Sequence, residues 1–526
     1  MGSLLKSNLA VATGTATSRI TGLVRVAVLG AVLGSPSAVA DAYDLANGTP
    51  NMIYELLIGG VLSSSLVPLF TRLREEEDED GTNAIITVAT IVIAIITVVA
   101  VIAAPLVFHL YSLLTSSKVN ATQYRDVGTV LSRIFLVQIF FYGLNALGSA
   151  LLNARRRYFA AAWAPALANL VIIASLLFVP SVSHHLAPGL PDVLNNASLR
   201  WLLGGGATVG IAVMAFALAP ALIAAKIRFR INADFKHPAV ARLKALSGWA
   251  LGYVVANQVA LVVIRNLLRG GDGSVFAYSR AYLWFVLPHG LLAMSIATTF
   301  LPELTTAITR KDRTAVIDRS SLGVRLIALV TLPAGFGLFV LRRPIIGAAF
   351  QHGKVTAADA LTTSRALAGF ALGLAGFSIY LFVSRVFYAH HDARTPFVIN
   401  CFENLINIVL AFALVGRYGL LGLGLSFAIA YIVSAAWSLQ IVSYKMPGFE
   451  LRALTGGLYR MTLASAVMAE VVWAVANRIG ANAGSGAIVR VVAGTVVGAA
   501  VYVGMLWVLD VPELKQLQAR FTRAAS

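Results

Sequence analysis

The chain has 526 residues, of which 58% are hydrophobic and 12% charged, with a mean hydropathy of +0.80 and a formal net charge of +18. An ordinary soluble domain carries about 25% charged residues, so this balance excludes a string of water-soluble domains. The single cysteine, Cys401, excludes an intramolecular disulfide and argues against a cysteine-based metal centre.

Apolar windows of about 20 residues predict helices at 8–33, 43–70, 84–112, 128–152, 158–180 and 203–226, then at 247–268, 275–302, 321–340, 364–388, 396–415, 420–443, 457–477 and 487–509. Residues 1–17 lack the apolar core and small-residue cleavage site of a secretory signal, so the N-terminus is expected to be retained. Fourteen helices place both termini on one side. Roughly 25 Lys and Arg fall on that side against about 9 on the other, which makes it cytoplasmic. These include Arg155 to Arg157, the run from Lys226 to Lys244, Arg310 to Arg319 and Lys445 to Arg460. The charge therefore reads as orientation, with no nucleic acid implied. The acidic run EEEDED at 75–80 reads as a solvated loop, and His184 and His185 as loop residues without further ligands beside them.

Sliding the chain against itself until residue 42 meets residue 277 aligns AYDLA at 42–46 with AYSRA at 277–281, Phe135 with Phe370, Ser149 with Ser384, Ala154 with Ala389, and Asn169-Leu170 with Asn404-Leu405. The offset spans six predicted helices, an even number, so the copies share orientation and an axis along the membrane normal relates them. The expected fold is an all-α polytopic membrane protein: an N-terminal lobe at 1–235, a C-terminal lobe at 236–446, and helices 13 and 14 with a tail at 447–526.

A charge at mid-bilayer costs at least about 2.5–3.5 kcal/mol on insertion scales and so faces a bundle interior or a watery cavity. Helix 1 carries Arg19 and Arg25, helix 2 carries Asp41, Asp44 and Glu55, and helix 8 carries Arg280. Arginines on the lead helices of both lobes point to a central cavity and an anionic cargo, since the guanidinium fork pairs with phosphate and stays protonated. There is no GxxxxGK[ST] and no HExxH, so neither nucleotide hydrolysis nor zinc-dependent hydrolysis is expected, and no catalytic residue or metal is assigned. Asn257 on helix 7, and Glu403, Asn404 and Asn407 on helix 11, form a candidate site for a coupling cation, Na+ or H+; a helix rich in Asn serves equally as interhelical glue.

The segments SRITGLVR at 18–25, ADAYDLANGTPN at 40–51, GGVLSSSLVP at 59–68, FQHGKVTAADALTTSRAL at 350–367 and FYAHHDARTP at 387–396 resemble those of the MurJ (MviN) lipid II flippases, within the multidrug/oligosaccharidyl-lipid/polysaccharide exporter superfamily. The resemblance covers essentially the whole chain. It implies alternating access that turns lipid II, the undecaprenyl-pyrophosphate-linked peptidoglycan precursor, from the inner to the outer leaflet of a bacterial cytoplasmic membrane, beside other proteins of cell-wall synthesis. It also places the family's cavity arginines on Arg19, Arg25 and Arg280 and its helix 2 aspartate on Asp41, and gives helices 13 and 14 a groove for the prenyl tail. Val26, Tyr54, Glu55 and Gly59 depart from the family pattern. A flippase for another polyprenyl-linked saccharide, an ion-coupled multidrug or cation antiporter, and a non-transporting scaffold are the competing readings.

Overall fold

The computed structural model describes residues 2–34, 37–54, 62–184, 187–227, 229–241, 248–351, 355–390 and 392–512. Glu55, Gly59, His185, Lys354 and His391 lie outside the described residues. The described chain is helical, with no strand, and divides by packing into two compact units, Met1–Phe276 and Ala277–Ser526.

The first unit contains α1 (Gly2–Leu33), α2 (Ala38–Tyr54), α3 (Leu62–Glu75), α4 (Glu79–Ile102), α5 (Ala104–Tyr111), α6 (Ala121–Leu136), α7 (Gln138–Ala154), α8 (Phe159–Leu177), α9 (Gly206–Phe216), α10 (Ala219–Ala224) and α11 (Gly248–Leu267). Short helical turns between Val179 and Gly205 are left unnumbered. α12 (Ser274–Pro288) starts at the boundary. The second unit continues with α13 (Met294–Thr309), α14 (Arg313–Phe350), α15 (Ala357–Leu372), α16 (Leu374–Ala389), α17 (Arg394–Tyr418), α18 (Leu420–Lys445), α19 (Leu451–Ala476) and α20 (Gly484–Val508).

Among the described residues eleven helices are long and apolar enough to cross a membrane, and a twelfth span arises if α15 and α16, bent by 49°, are taken together. The windows predicted at 43–70 and 247–268 hold α2 with α3 and α11, which do not meet that length and hydropathy test. α2 and α3 are separated by 55–61, outside the described residues, and in α11 the apolar stretch is Val255–Leu267. Apolar residues face outward where lipid is expected: Ile95, Val98, Val99 and Ile102 make an exposed stripe on α4, a pattern a water-soluble surface does not carry.

The internal repeat is visible in how helices begin and break. Asn120 caps α6, its side chain accepting from the Thr122 and Gln123 amides. One residue past the corresponding place in the second copy, Thr356 caps α15 in a reciprocal capping box with Asp359. α6 breaks at Val137 before α7, and α15 breaks at Gly373 before α16, again one residue past the corresponding place.

Helix ends follow one device. α3, α7, α10, α11, α13 and α20 are each followed, two residues past their last residue, by a charged residue in the left-handed region: Glu77, Arg156, Lys226, Arg269, Lys311 and Asp510. In five of these turns the next amide reaches back to close the turn, as in Asp78 N to Leu73 O, Arg157 N to Leu152 O and Asp312 N to Ala307 O, the 6→1 bond of a Schellman stop.

Packing within each unit depends on close backbone approach. α1 lies along α8, where Asn169 Nδ2 donates to Ser18 O and Thr21 Oγ1 at 3.1 Å each. α15 crosses α18 at Gly369 and Gly424: a Cβ on Gly424 would sit 2.7 Å from Ala366 O and 2.9 Å from Gly369 Cα. Backbone atoms cannot swing aside, so the helices would have to part. Gly424→Ala is expected to cost about 1–3 kcal/mol, read as a lower melting temperature of the detergent-solubilised protein, whereas Gly456→Ala, with nothing within 4 Å of the added carbon, leaves it unchanged.

The FYAHHDARTP segment forms the connection from α16 to α17. Asp392 accepts from the Thr395 amide and hydroxyl, and from Lys445 Nζ at 2.6 Å. Its partial burial would by itself raise its pKa, but the bonds from Lys445 and Thr395 outweigh that and hold it at about 2.

Candidate substrate-binding arginines and the Asp41 clamp

α1 places Arg19 on an exposed face and Arg25 half-buried. Neither guanidinium has a hydrogen-bond or ion-pair partner among the described residues. Arg280 differs sharply. It is 2% exposed, and its guanidinium lies 4.8 Å above the Phe350 ring, a cation–π arrangement. Around it α12 carries Tyr278, Tyr282 and Phe285, which pack edge-on and tilted against Phe370 at 4.8, 5.6 and 5.5 Å.

Asp41 lies in the first turn of α2, fully buried. Its Oδ2 accepts from the amides of Gly271 at 2.8 Å and Gly273 at 2.9 Å, and its Oδ1 from Phe276 at 2.9 Å. Gly271 and Gly273 have φ of +115° and +89°, conformations that glycine adopts without a side-chain penalty. They turn successive N–H groups toward one carboxylate. The Phe276 amide is one of the donors that the start of α12 leaves without an intrahelical acceptor. An anion at that point also meets the positive end of the helix dipole. Asp41 is thus a clamp between α2 and the loop that starts α12.

Two residues at the same end of the first unit carried no assignment from sequence. Arg265 on α11 pairs with Asp44 at 3.0 Å, both side chains being largely buried. Asn266 donates to Leu110 O at 2.7 Å and accepts from the Leu114 amide at 3.0 Å. The available signal was an arginine inside an apolar window. These bonds, with Ser116 N to Gly270 O and Tyr111 to Gln258, explain why α11 packs with the first unit although the repeat read from sequence begins the second lobe at 236.

The candidate cation residues divide between the units. Asn257 is half-buried on α11, its Nδ2 donating to Tyr253 O. On α17, Glu403, Asn404 and Asn407 are 1%, 7% and 7% exposed. Asn404 donates to Asn400 O, Asn407 accepts from Ser426, and Glu403 Oε2 has no hydrogen-bond partner among the described residues. No cluster of three or more His, Cys, Asp or Glu suited to a metal occurs among the described residues.

The sequence profile of the lipid II flippase MurJ family matches residues 29–494. The chain belongs to the lipid II flippase MurJ family. Among curated relatives, the lipid II flippase MurJ of Burkholderia cenocepacia is 27% identical over 432 residues, 81% of either chain. A probable lipid II flippase MurJ of Thermotoga maritima is 24% identical over 98% of this chain and 99% of its own. Among solved structures, a lipid II flippase MurJ in an inward closed conformation superposes with a TM-score of 0.74 at 23% identity, covering 94% of this chain and 98% of the other. An inward-facing MATE multidrug transporter gives 0.67 at 12% identity over 82% and 95%. At these identities the structural likeness speaks for the fold, which the MurJ family thus shares with the MATE transporters.

Proposed function

We propose that this chain is a lipid II flippase that carries the undecaprenyl-pyrophosphate-linked precursor from the inner to the outer leaflet of a bacterial cytoplasmic membrane by alternating access, without ATP hydrolysis. In this reading fourteen segments cross the membrane, in two six-helix lobes plus two C-terminal helices, and both termini are cytoplasmic. The family match over residues 29–494 carries the proposal. The chemistry agrees with it: among the described residues the guanidinium groups of Arg19 and Arg25 on α1 have no hydrogen-bond or ion-pair partner, as suits groups that await an anion. Arg19, Arg25 and Arg280 would bind the pyrophosphate. Of the carboxylates a cation antiporter would draw on, Asp41 is held by three amides and Asp44 by Arg265, which leaves Glu403 among the described ones.

The test is exchange of a cell's essential lipid II flippase for this chain, with purified protein in liposomes carrying labelled lipid II. Growth and outward transfer of the label are expected. Loss of both, with the protein inserted, would overturn the assignment, and transfer of a different polyprenyl-linked saccharide in place of lipid II would reassign the cargo.

In the absence of nucleotide hydrolysis, the membrane potential supplies about 2.3 kcal/mol per charge per 100 mV. An inside-negative potential favours outward movement of a pyrophosphate, so depolarising the liposomes is expected to slow transfer, and an unaltered rate would sink this driving force. Glu403, Asn404 and Asn407, with Asn257, are proposed to hold a coupling Na+ or H+. Transfer that is indifferent to sodium, to pH and to Glu403→Gln would remove that site.

A further inference from the structure

Each unit holds a cavity among the helix ends that sequence topology assigns to the side of the termini, and the two are related by the internal repeat. In the first unit a cavity of about 370 Å³ is lined by Arg74, Glu77, Asp78, Glu79, Arg155 and Lys226 among others. In the second, a cavity of about 260 Å³ is lined by Lys311, Arg313, His390 and Lys445, with Ile317 and Met446 among its apolar residues. The backbone is reproduced closely. Glu77 and Lys311, one residue off the register that sets 42 on 277 but each two residues past the end of its helix, have φ of 54° and 55°, and the aspartate after each, Asp78 or Asp312, caps the next helix.

The charges are not reproduced. Glu77 corresponds to Lys311 and Glu79 to Arg313, so a cavity with balanced charges in one unit becomes, in the other, one with no carboxylate in its lining.

We propose that the Lys311–Arg313–His390–Lys445 cavity binds the phosphodiester headgroup of an anionic membrane lipid. The donors suit a phosphate. Arg313 spends one N–H on Pro447 O at 2.9 Å and has others to give. Lys445 Nζ bonds Asp392 and Thr395, which leaves one of its three protons. His390 Nδ1 lies 2.8 Å from Val386 O; a carbonyl only accepts, so this nitrogen carries the proton, and Nε2 donates to a phosphate only in the imidazolium form. Asp392, paired with Lys445, is the carboxylate that opposes an anion here. The apolar remainder of the lining, Ala307, Ile308, Val316, Ile317 and Met446, favours a lipid over free phosphate because it offers cover for a glycerol backbone and the start of its acyl chains. Basic pockets at the cytoplasmic ends of membrane helices are suited to such headgroups, each basic group contributing about a fivefold gain in affinity.

The full-length protein in a zwitterionic detergent is melted with increasing short-chain phosphatidylglycerol, phosphatidylcholine or inorganic phosphate. Phosphatidylglycerol is expected to raise the melting temperature saturably, and the other two are not. Lys311→Gln with Arg313→Gln should raise the half-saturating concentration at least about 10-fold, and Asp392→Asn, which removes the opposing charge, should lower it. Lys226→Gln, in the equivalent cavity of the first unit, should leave it unchanged. Lys311→Gln alone, on an exposed turn, serves if the double variant does not fold, with a shift of about fivefold. Equal stabilisation by phosphatidylcholine or by phosphate, an equal shift from Lys226→Gln, or no shift in either Lys311 variant would each overturn the proposal. The outcome is independent of whether lipid II is transported.

Discussion

Asp41→Ala is expected to lower the melting temperature of the purified protein more than substitution of any of the candidate arginines. The carboxylate takes three buried amides, at Gly271, Gly273 and Phe276, each 2.8–2.9 Å away. Hydrogen bonds to a charged group are worth about 1.5–3 kcal/mol each, and a buried donor left without a partner costs about 1–3 kcal/mol. With some relaxation of the glycine loop, a loss on the order of 3–5 kcal/mol follows. Asp41→Asn should be nearly as harmful, because its Nδ2 would turn a donor toward amides that are themselves donors. The alternative is a side chain that serves the cargo alone. In that case Asp41→Ala would abolish transfer and leave the melting curve unmoved, and such a result would discard the clamp.

The second large effect separates Arg280 from the arginines of α1. Arg19→Ala and Arg25→Ala should abolish transfer and complementation, by roughly two orders of magnitude or more if each guanidinium pairs with the pyrophosphate, while the melting temperature holds. Among the described residues these side chains have no hydrogen-bond or ion-pair partner to lose. Arg280→Ala should lose both, since it empties a buried position over Phe350. Arg280→Lys keeps the charge and part of the cation–π contact but not the planar fork, so stability should return further than transfer. If Arg280→Lys restores transfer fully, the bidentate role assigned to the guanidinium is wrong.

The helices were legible in sequence because a bilayer imposes a length and an apolar composition that a window detects. Eleven of the fourteen predicted windows fall on described helices that meet the crossing test and a twelfth on the bent pair α15 and α16, while the described helices in the windows at 43–70 and 247–268 do not meet it. The repeat was legible for a related reason: Phe135 and Phe370, Ser149 and Ser384, and Asn169 and Asn404 each stand nearly the same number of residues from the start of their helices. What remained hidden has no period. Asp41 reaches amides on a loop far along the chain, and a side-chain bond to a backbone N–H leaves no mark in the partner's identity. Arg265 carried no assignment from sequence, since nothing in its own apolar window marks the pairing with Asp44. Arg280 was read as lining a cavity; that it is buried over Phe350 depends on how α12 meets the end of α14.

The charged left-handed stops have a consequence for depth. Six helices end on Glu77, Arg156, Lys226, Arg269, Lys311 or Asp510, where glycine would spare the backbone about 1–2 kcal/mol. Glycine, however, has nothing to keep in water. A charged side chain one step beyond the last helical turn resists being drawn into hydrocarbon and resists being lifted far from the headgroups it can touch. Each such turn therefore works as a float on its helix, setting the height at which the helix rides while its neighbours tilt. A membrane protein in a fluid of uneven thickness keeps its vertical register at these turns, and it does so at the cost of a strained residue in each.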